Sequence, residues 1–226
     1  MNEYNCKLCI FDLDGTLIDT IDDLGESVSY ALTTLGLPTR TREEYLSFVG
    51  NGTYLLVQRS LPEELKENTE ILDKAFKLFS DHYDKNYANK TAPYEGIVEV
   101  VEELKNSGVK VACFTNKPQE FAVPLANKFF KEGTFEFVYG VREGYPKKPD
   151  PAVELDIMAN LGVSAEETIH IGDSDVDVHT AKNAGVKCIA CTWGFRSEES
   201  LVKCDPEFLA RKPQDILKIL SKKVEI

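Results

Sequence analysis

Residues 95–116 read EGIVEVVEELKNSGVKVACFTN, and the change of pattern inside them decides the fold. Up to Asn106 the apolar residues recur at three- and four-residue steps, as on a helix with one buried face. Ser107-Gly108 ends that pattern, and VKVACFT follows as a short β-branched run of the kind buried on both faces of a parallel sheet. The alternation continues outward. FEFVYG (135–140), TIHIG (168–172) and VKCIACT (186–192) are strand-like runs, with PAVELDIMANLG (151–162) a helical pattern among them, and LCIF (8–11) supplies an earlier strand. Strands alternating with helices imply an α/β protein whose doubly wound, Rossmann-like parallel sheet carries helices on both faces.

The stretch between the first strand and Tyr94 reads differently. IDDLGESVSYALTTLG (21–36) and KAFKLFSDHYDKNY (74–87) carry apolar stripes at helical spacing, with Phe76, Phe79, Tyr83 and Tyr87 on one face of the second. The expected organisation is a core of residues 1–17 and 92–226 with an inserted helical cap at 18–91. Ligands in open α/β sheets bind beyond the carboxyl ends of the strands, so an insertion rooted there is placed to act as a lid.

The formal charge of −12 over 226 residues argues against nucleic acid or an anionic membrane as partner, because neither is attracted by an acidic surface. No run approaches the ~18 apolar residues of a membrane span, and the start MNEYNCK lacks the layout of a signal peptide, so a cytoplasmic protein is expected. Cys6-x2-Cys9 and Cys188-x2-Cys191 have the letters of a four-thiolate zinc site. On strands, however, residues three apart point to opposite faces, which favours reduced, buried thiols.

The strand ends carry the chemistry. The first leads into Asp12-Leu13-Asp14-Gly15-Thr16, VKVACFT into Asn116-Lys117, and TIHIG into Asp173-Ser174-Asp175-Val176-Asp177, with PKKPDP (146–151) between them. Parallel strands bring these groups to one edge. Two buried carboxylates side by side are costly unless a cation or a reaction needs them. Oxygen donors without a histidine cluster suit Mg2+ rather than zinc, and Mg2+ is usually held by a few carboxylates plus phosphate oxygens. Thr115 and Lys148 then suit the remaining phosphoryl oxygens, Asp12 a nucleophile and Asp14 a proton donor to the leaving oxygen. Lys147 competes with Lys148 for that place, and Asp175 reads as a helix cap rather than a ligand.

Together DLDGT, FTN, KKPDP and GDSDVD resemble the haloacid dehalogenase superfamily of phosphoryl-transfer enzymes along the full chain. The resemblance implies Asp12 as nucleophile and metal ligand, and Asp14 as acid/base and a further ligand through its backbone carbonyl. It also implies Thr115, Asn116 and Lys148 as the phosphate clamp, Asp173 as metal ligand and Asp177 as an outer acid of the Mg2+ site. Dehalogenases lack the second acid that Asp14 supplies. Thr16 stands where mutases of this type often carry valine, which favours a hydrolase.

Gly50-Asn51-Gly52 with TYLLVQRSL (53–61), then TNKP (115–118) and TWGFRS (192–197), are similar to the corresponding stretches of phosphoglycolate phosphatases. This implies a magnesium-dependent phosphomonoesterase acting through an aspartyl-phosphate on a small phosphorylated metabolite such as 2-phosphoglycolate. The backbone at Gly50, Asn51 and Gly52 would approach the anion, and Arg59, Lys117 or Arg196 would meet its carboxylate. An ordinary interhelical turn and a solvated helix face remain open for the glycines and for Arg59. Pyrophosphatase, nucleotidase and β-phosphoglucomutase are the alternatives, with a non-enzymatic phospho-accepting signalling module more remote because it has no insertion. A monomer or homodimer is expected.

Overall fold

A computed structural model describes residues 6–221. The described residues form two compact units, 6–18 with 93–221, and Asp19–Ala92. In chain order the strands are β1 (Leu8–Phe11), β2 (Ile18–Asp19), β3 (Ala92–Pro93), β4 (Lys110–Pro118), β5 (Val138–Val141), β6 (Thr168–Gly172), β7 (Lys187–Cys191) and β8 (Phe208–Ala210). The chain passes between the units within β2 and within β3.

The larger unit holds a six-stranded sheet in the order β5-β4-β1-β6-β7-β8, every neighbouring pair parallel, with helices on both sides. From β1 the chain builds outward through β4 and β5, then returns to β6 on the other side. The order therefore reverses beside β1, the switch point where such sheets open a crevice. Leu8, Ile10, Ala112 and Phe114 point to one face and pack with α7 (Ala152–Leu161) and α8 (Asp175–Ala184) through Val153, Ile157, Met158, Val178 and Ala181. Period-two alternation turns Cys9, Phe11, Val111 and Cys113 the other way, and all four are buried. This two-sided burial explains why the strands read as unbroken apolar runs. The edge strand β8, three residues in DPEFLARK, was not legible as a strand.

One cysteine expectation is corrected. Cys6 and Cys9 bring their sulfurs to 3.8 Å instead of pointing apart. Cys6 precedes β1 at a bend through Lys7, so the strand period does not reach it.

In the smaller unit, α1 (Ile21–Thr34) packs on α4 (Thr69–Asn86), with α2 (Arg42–Phe48) and α3 (Thr53–Ser60) beside them. Leu72, Ala75, Phe79 and Tyr83 are the buried face of α4, and the Phe79 and Tyr83 rings stack at 5.4 Å. Asp23 of α1 is buried and accepts hydrogen bonds from the backbone N–H groups of Lys90 and Thr91 and from the Thr91 hydroxyl.

Candidate active site

The site lies within the larger unit, at the carboxyl ends of β1, β4 and β6. Asp12 directly follows β1, and its N–H donates to the Ile171 carbonyl of β6 at 2.8 Å. The chain then turns at Gly15, whose φ of +87° only glycine adopts readily. A Cβ there would stand 2.3 Å from Asp173 Oδ2, so the turn and the β6 acid are pressed together.

Lys148 lies at the centre of the charges. Its Nζ is 2.8 Å from Asp12 Oδ1, without the alignment of a hydrogen bond, and donates to Asp177 Oδ1 at 2.6 Å. Lys147 beside it is exposed, whereas Lys148 is buried among these charges. The Lys148 backbone is clamped by Asn116, whose Oδ1 accepts from its N–H at 2.9 Å and whose Nδ2 donates to its carbonyl at 3.1 Å. Asn116 thus spends its side chain on placing Lys148. Thr115 is buried in the carboxyl half of β4, its hydroxyl accepting from the Lys117 N–H. Lys117 turns its ammonium to both oxygens of Asp14, at 3.1 Å each.

Asp173 accepts from the Phe195 N–H at 2.6 Å and from the Thr16 hydroxyl at 3.4 Å. Asp177 belongs to the first turn of α8, and its Oδ2 accepts from the Ser174 N–H and hydroxyl at 3.0 and 2.6 Å. Ser174, not Asp175, is the cap of this helix. Its hydroxyl accepts from the Asp177 N–H in a reciprocal box, while Asp175 is the first helical residue and pairs with Arg196 at 3.5 Å.

Asp12, Asp173 and Asp177 offer carboxylate oxygens all within 4.8 Å of one another, and all three residues are buried. Burial, with Asp177 and Asp14 close by, pushes the Asp12 carboxyl up to about 6 against the pull of Lys148. Burial, with Asp177 and Asp12 close by, raises Asp173 well above the carboxylate range. Burial works against the Asp177 charge too, but Lys148 and His170 outweigh it and hold that carboxyl below the usual range. His170 stands between Asp177 and the buried Glu154, at 3.3 and 3.1 Å. Five carboxylates (Asp12, Asp14, Glu154, Asp173, Asp177) therefore face three cations (Lys117, Lys148, His170). The surplus of negative oxygen donors, two of them resisting ionisation, fits a hard divalent cation.

The structure brings Asp12, Asp14, Thr115, Asn116, Lys117, Lys148, Asp173 and Asp177 together, with Arg196 two residues beyond Gly194 in the loop against Asp173. Gly50, Asn51, Gly52 and Arg59 belong to the other unit. There Gly50 and Gly52 have φ of +104° and +98°, and Arg59 Nη1 donates to the Phe48 carbonyl at the end of α2. Three placements were not anticipated. A Cβ on Gly194 would meet Asp173 Cβ and the Gly15 carbonyl, each at 2.3 Å, and one on Gly172 would meet Asp177 at 2.2 Å. The signal for both was a glycine inside a motif already quoted. The Glu154–His170 pair had no such signal.

The model of the haloacid dehalogenase-like hydrolase family matches residues 9–191. Phosphoglycolate phosphatase 1 of Pseudomonas aeruginosa is 34% identical over 97% of this chain and 82% of its own length. The phosphoglycolate phosphatase of Vibrio parahaemolyticus is 31% identical over 98% and 99%. Among solved structures, a predicted phosphoglycolate phosphatase from Haemophilus somnus superposes with a TM-score of 0.87 at 28% identity, covering 95% of this chain and 98% of that one. With the match running through every strand end that carries a site acid, the chain belongs to the haloacid dehalogenase-like hydrolases.

Proposed function

We propose that this phosphatase is a magnesium-dependent phosphomonoesterase that works through an aspartyl-phosphate on Asp12, with 2-phosphoglycolate or a similar small carboxylated phosphate ester as substrate. The observation that carries the reading is the set of three buried acids around Lys148, with Asp12 at the head of the switch-point crevice. The substrate class is supported by the names of the two relatives above.

Asp12 attacks phosphorus through a carboxylate oxygen, and the bond from phosphorus to the ester oxygen breaks. Asp14 gives its proton to the departing oxygen. It then takes a proton from a water molecule that attacks the same phosphorus, releasing phosphate and restoring Asp12. Lys117 fixes the orientation of Asp14 for both transfers. Lys148 and Thr115 meet the phosphoryl oxygens, Lys148 held in place by Asn116 and Asp177. Asp12, Asp173, the Asp14 carbonyl and the outer acid Asp177 would hold magnesium, which would supply charge neutralisation at the phosphoryl group. In this reading the helical unit is a lid that excludes water and selects substrate, supported by its two chain crossings, the first of which closely follows Asp14. Arg59 of the helical unit and Arg196 of the larger one are the candidates for the substrate carboxylate.

The test is turnover of p-nitrophenyl phosphate with and without Mg2+, in the parent and in Asp12→Asn. Asp12→Asn keeps shape and removes the nucleophile, so it is expected to fold and to lose at least about 1,000-fold in kcat. Near-parent turnover by Asp12→Asn rules out covalent catalysis here. On a panel of phosphate esters, 2-phosphoglycolate is expected to have the highest kcat/KM, and Ala at Arg59 or Arg196 to narrow its lead. Parity with an ester lacking the carboxylate rejects the substrate.

A further inference from the structure

Glu154 and His170 take no part in the chemistry above, yet both are fully buried next to it. His170 sits mid-strand in β6, its Cα paired with Ile10 of β1 and Cys188 of β7, on a sheet face otherwise packed with apolar side chains. Glu154 reaches it from the first turn of α7. A charged pair in such a place is costly, and apolar residues of similar volume often serve stability as well or better. Its presence therefore calls for another reason.

The contacts supply one. His170 Nδ1 donates to Glu154, whose two oxygens lie at 3.2 and 3.1 Å, and Nε2 donates to Asp177 Oδ1 at 3.3 Å. That same Asp177 oxygen accepts from Lys148 at 2.6 Å, and Lys148 stands 2.8 Å from Asp12. Five side chains of alternating charge thus run from the interior to the candidate nucleophile, none more than 8% exposed. Ser174 holds the other oxygen, Oδ2; without the imidazole, Asp177 Oδ1 keeps only Lys148 and loses its one contact from the interior side.

We propose that Glu154 and His170 are positioning residues, holding the Asp177 carboxylate so that it in turn holds Lys148 against Asp12. The proposal rests on the phosphatase reading of Asp12. It assigns the pair no contact with substrate.

The test uses the full chain carrying Glu154→Leu with His170→Phe, which removes both charges together and leaves neither unpaired. Three quantities are read: melting temperature, kcat and KM on p-nitrophenyl phosphate, and Mg2+ affinity by calorimetry without substrate. Expected are an unchanged or higher melting temperature, a loss of about tenfold or more in kcat with KM within about threefold, and Mg2+ binding weakened at least about threefold. Glu154→Gln, which still accepts from Nδ1–H, should keep kcat within about threefold of the parent. The proposal is overturned by a folded double variant with parent-like kcat and Mg2+ affinity, or by Glu154→Gln losing as much as the double variant. If the double variant does not fold, His170→Asn replaces it: a tenfold loss supports the proposal and parent-like kcat overturns it. A parent that hydrolyses nothing rejects the phosphatase reading separately, and the Mg2+ titration then decides the positioning of Asp177.

Discussion

At the scale of single residues, the site is shaped as much by side chains that are missing as by those that are present. Gly194 has no Cβ, and one placed there would strike the Gly15 carbonyl at 2.3 Å, an atom of the backbone that has little freedom to retreat. The nearest relief is to push the loop away from Asp173, whose Oδ2 accepts from the Phe195 N–H in the same loop. Gly194→Ala is therefore expected to cost roughly 1 to 3 kcal/mol of stability and to weaken Mg2+ binding. Denaturant unfolding and calorimetry check the two effects; a variant as stable as the parent, binding Mg2+ as well, shows that the loop gives way freely. The contrast with Asp12 and Asp14 shows what a sequence makes legible. Those acids announce themselves because two charges follow directly on a buried run. The need for glycine at 194 arises from contacts with residues 15 and 173, and nothing beside it in the chain records them.

The same distinction holds for whole elements. β1, β6 and β7 were readable because their apolar runs are local, and α4 because its stripe repeats within 18 residues. β8 was not, since three residues are too few to show a period. Within β6 the odd residue is His170, and its meaning depends on Glu154, sixteen positions earlier and on a helix. Their pairing has a measurable consequence for the strand and helix it joins. Burial alone would lower the imidazole, but Glu154 and Asp177 more than offset that and raise its pKa from 6.5 to about 9. A base held protonated in the folded state lends stability that is fully present below the unfolded value near 6.5 and is lost as pH rises through about 9. The shift corresponds to something on the order of 3 kcal/mol. In chelated, metal-free protein, the stability difference between the parent and the Glu154→Leu/His170→Phe variant should move in the variant's favour from pH 6.5 to pH 9.5. A difference that stays level across that window means that His170 is not charged in the folded protein.

For the molecule as a whole, an accounting of charge describes how the interior of the larger unit is balanced. The chain carries −12 overall, and its acidic surplus reaches inside, to the five carboxylates and three cations around β1 and β6. Asp173 bears the clearest penalty. Its carboxyl is raised well above the ordinary range by burial and by Asp177 and Asp12, so once the pH exceeds the unfolded value near 3.8, ionising it works against folding. Asp173→Asn removes that charge while its side-chain oxygen still accepts from the Phe195 N–H. In chelator the variant is therefore expected to be more stable than the parent at neutral pH. Magnesium should reverse the ranking. A ligand that binds only the folded state adds about 2.7 kcal/mol at a hundred times its dissociation constant, and the parent, with all three acids, should gain this while the variant gains little. Thermal melts of both proteins across a Mg2+ titration are thus expected to cross, the variant higher without metal and the parent higher with it. Curves that run parallel, with equal gains from magnesium, show that Asp173 does not hold the ion, and a parent that stays the more stable even in chelator shows that its buried charge is already balanced by the protein.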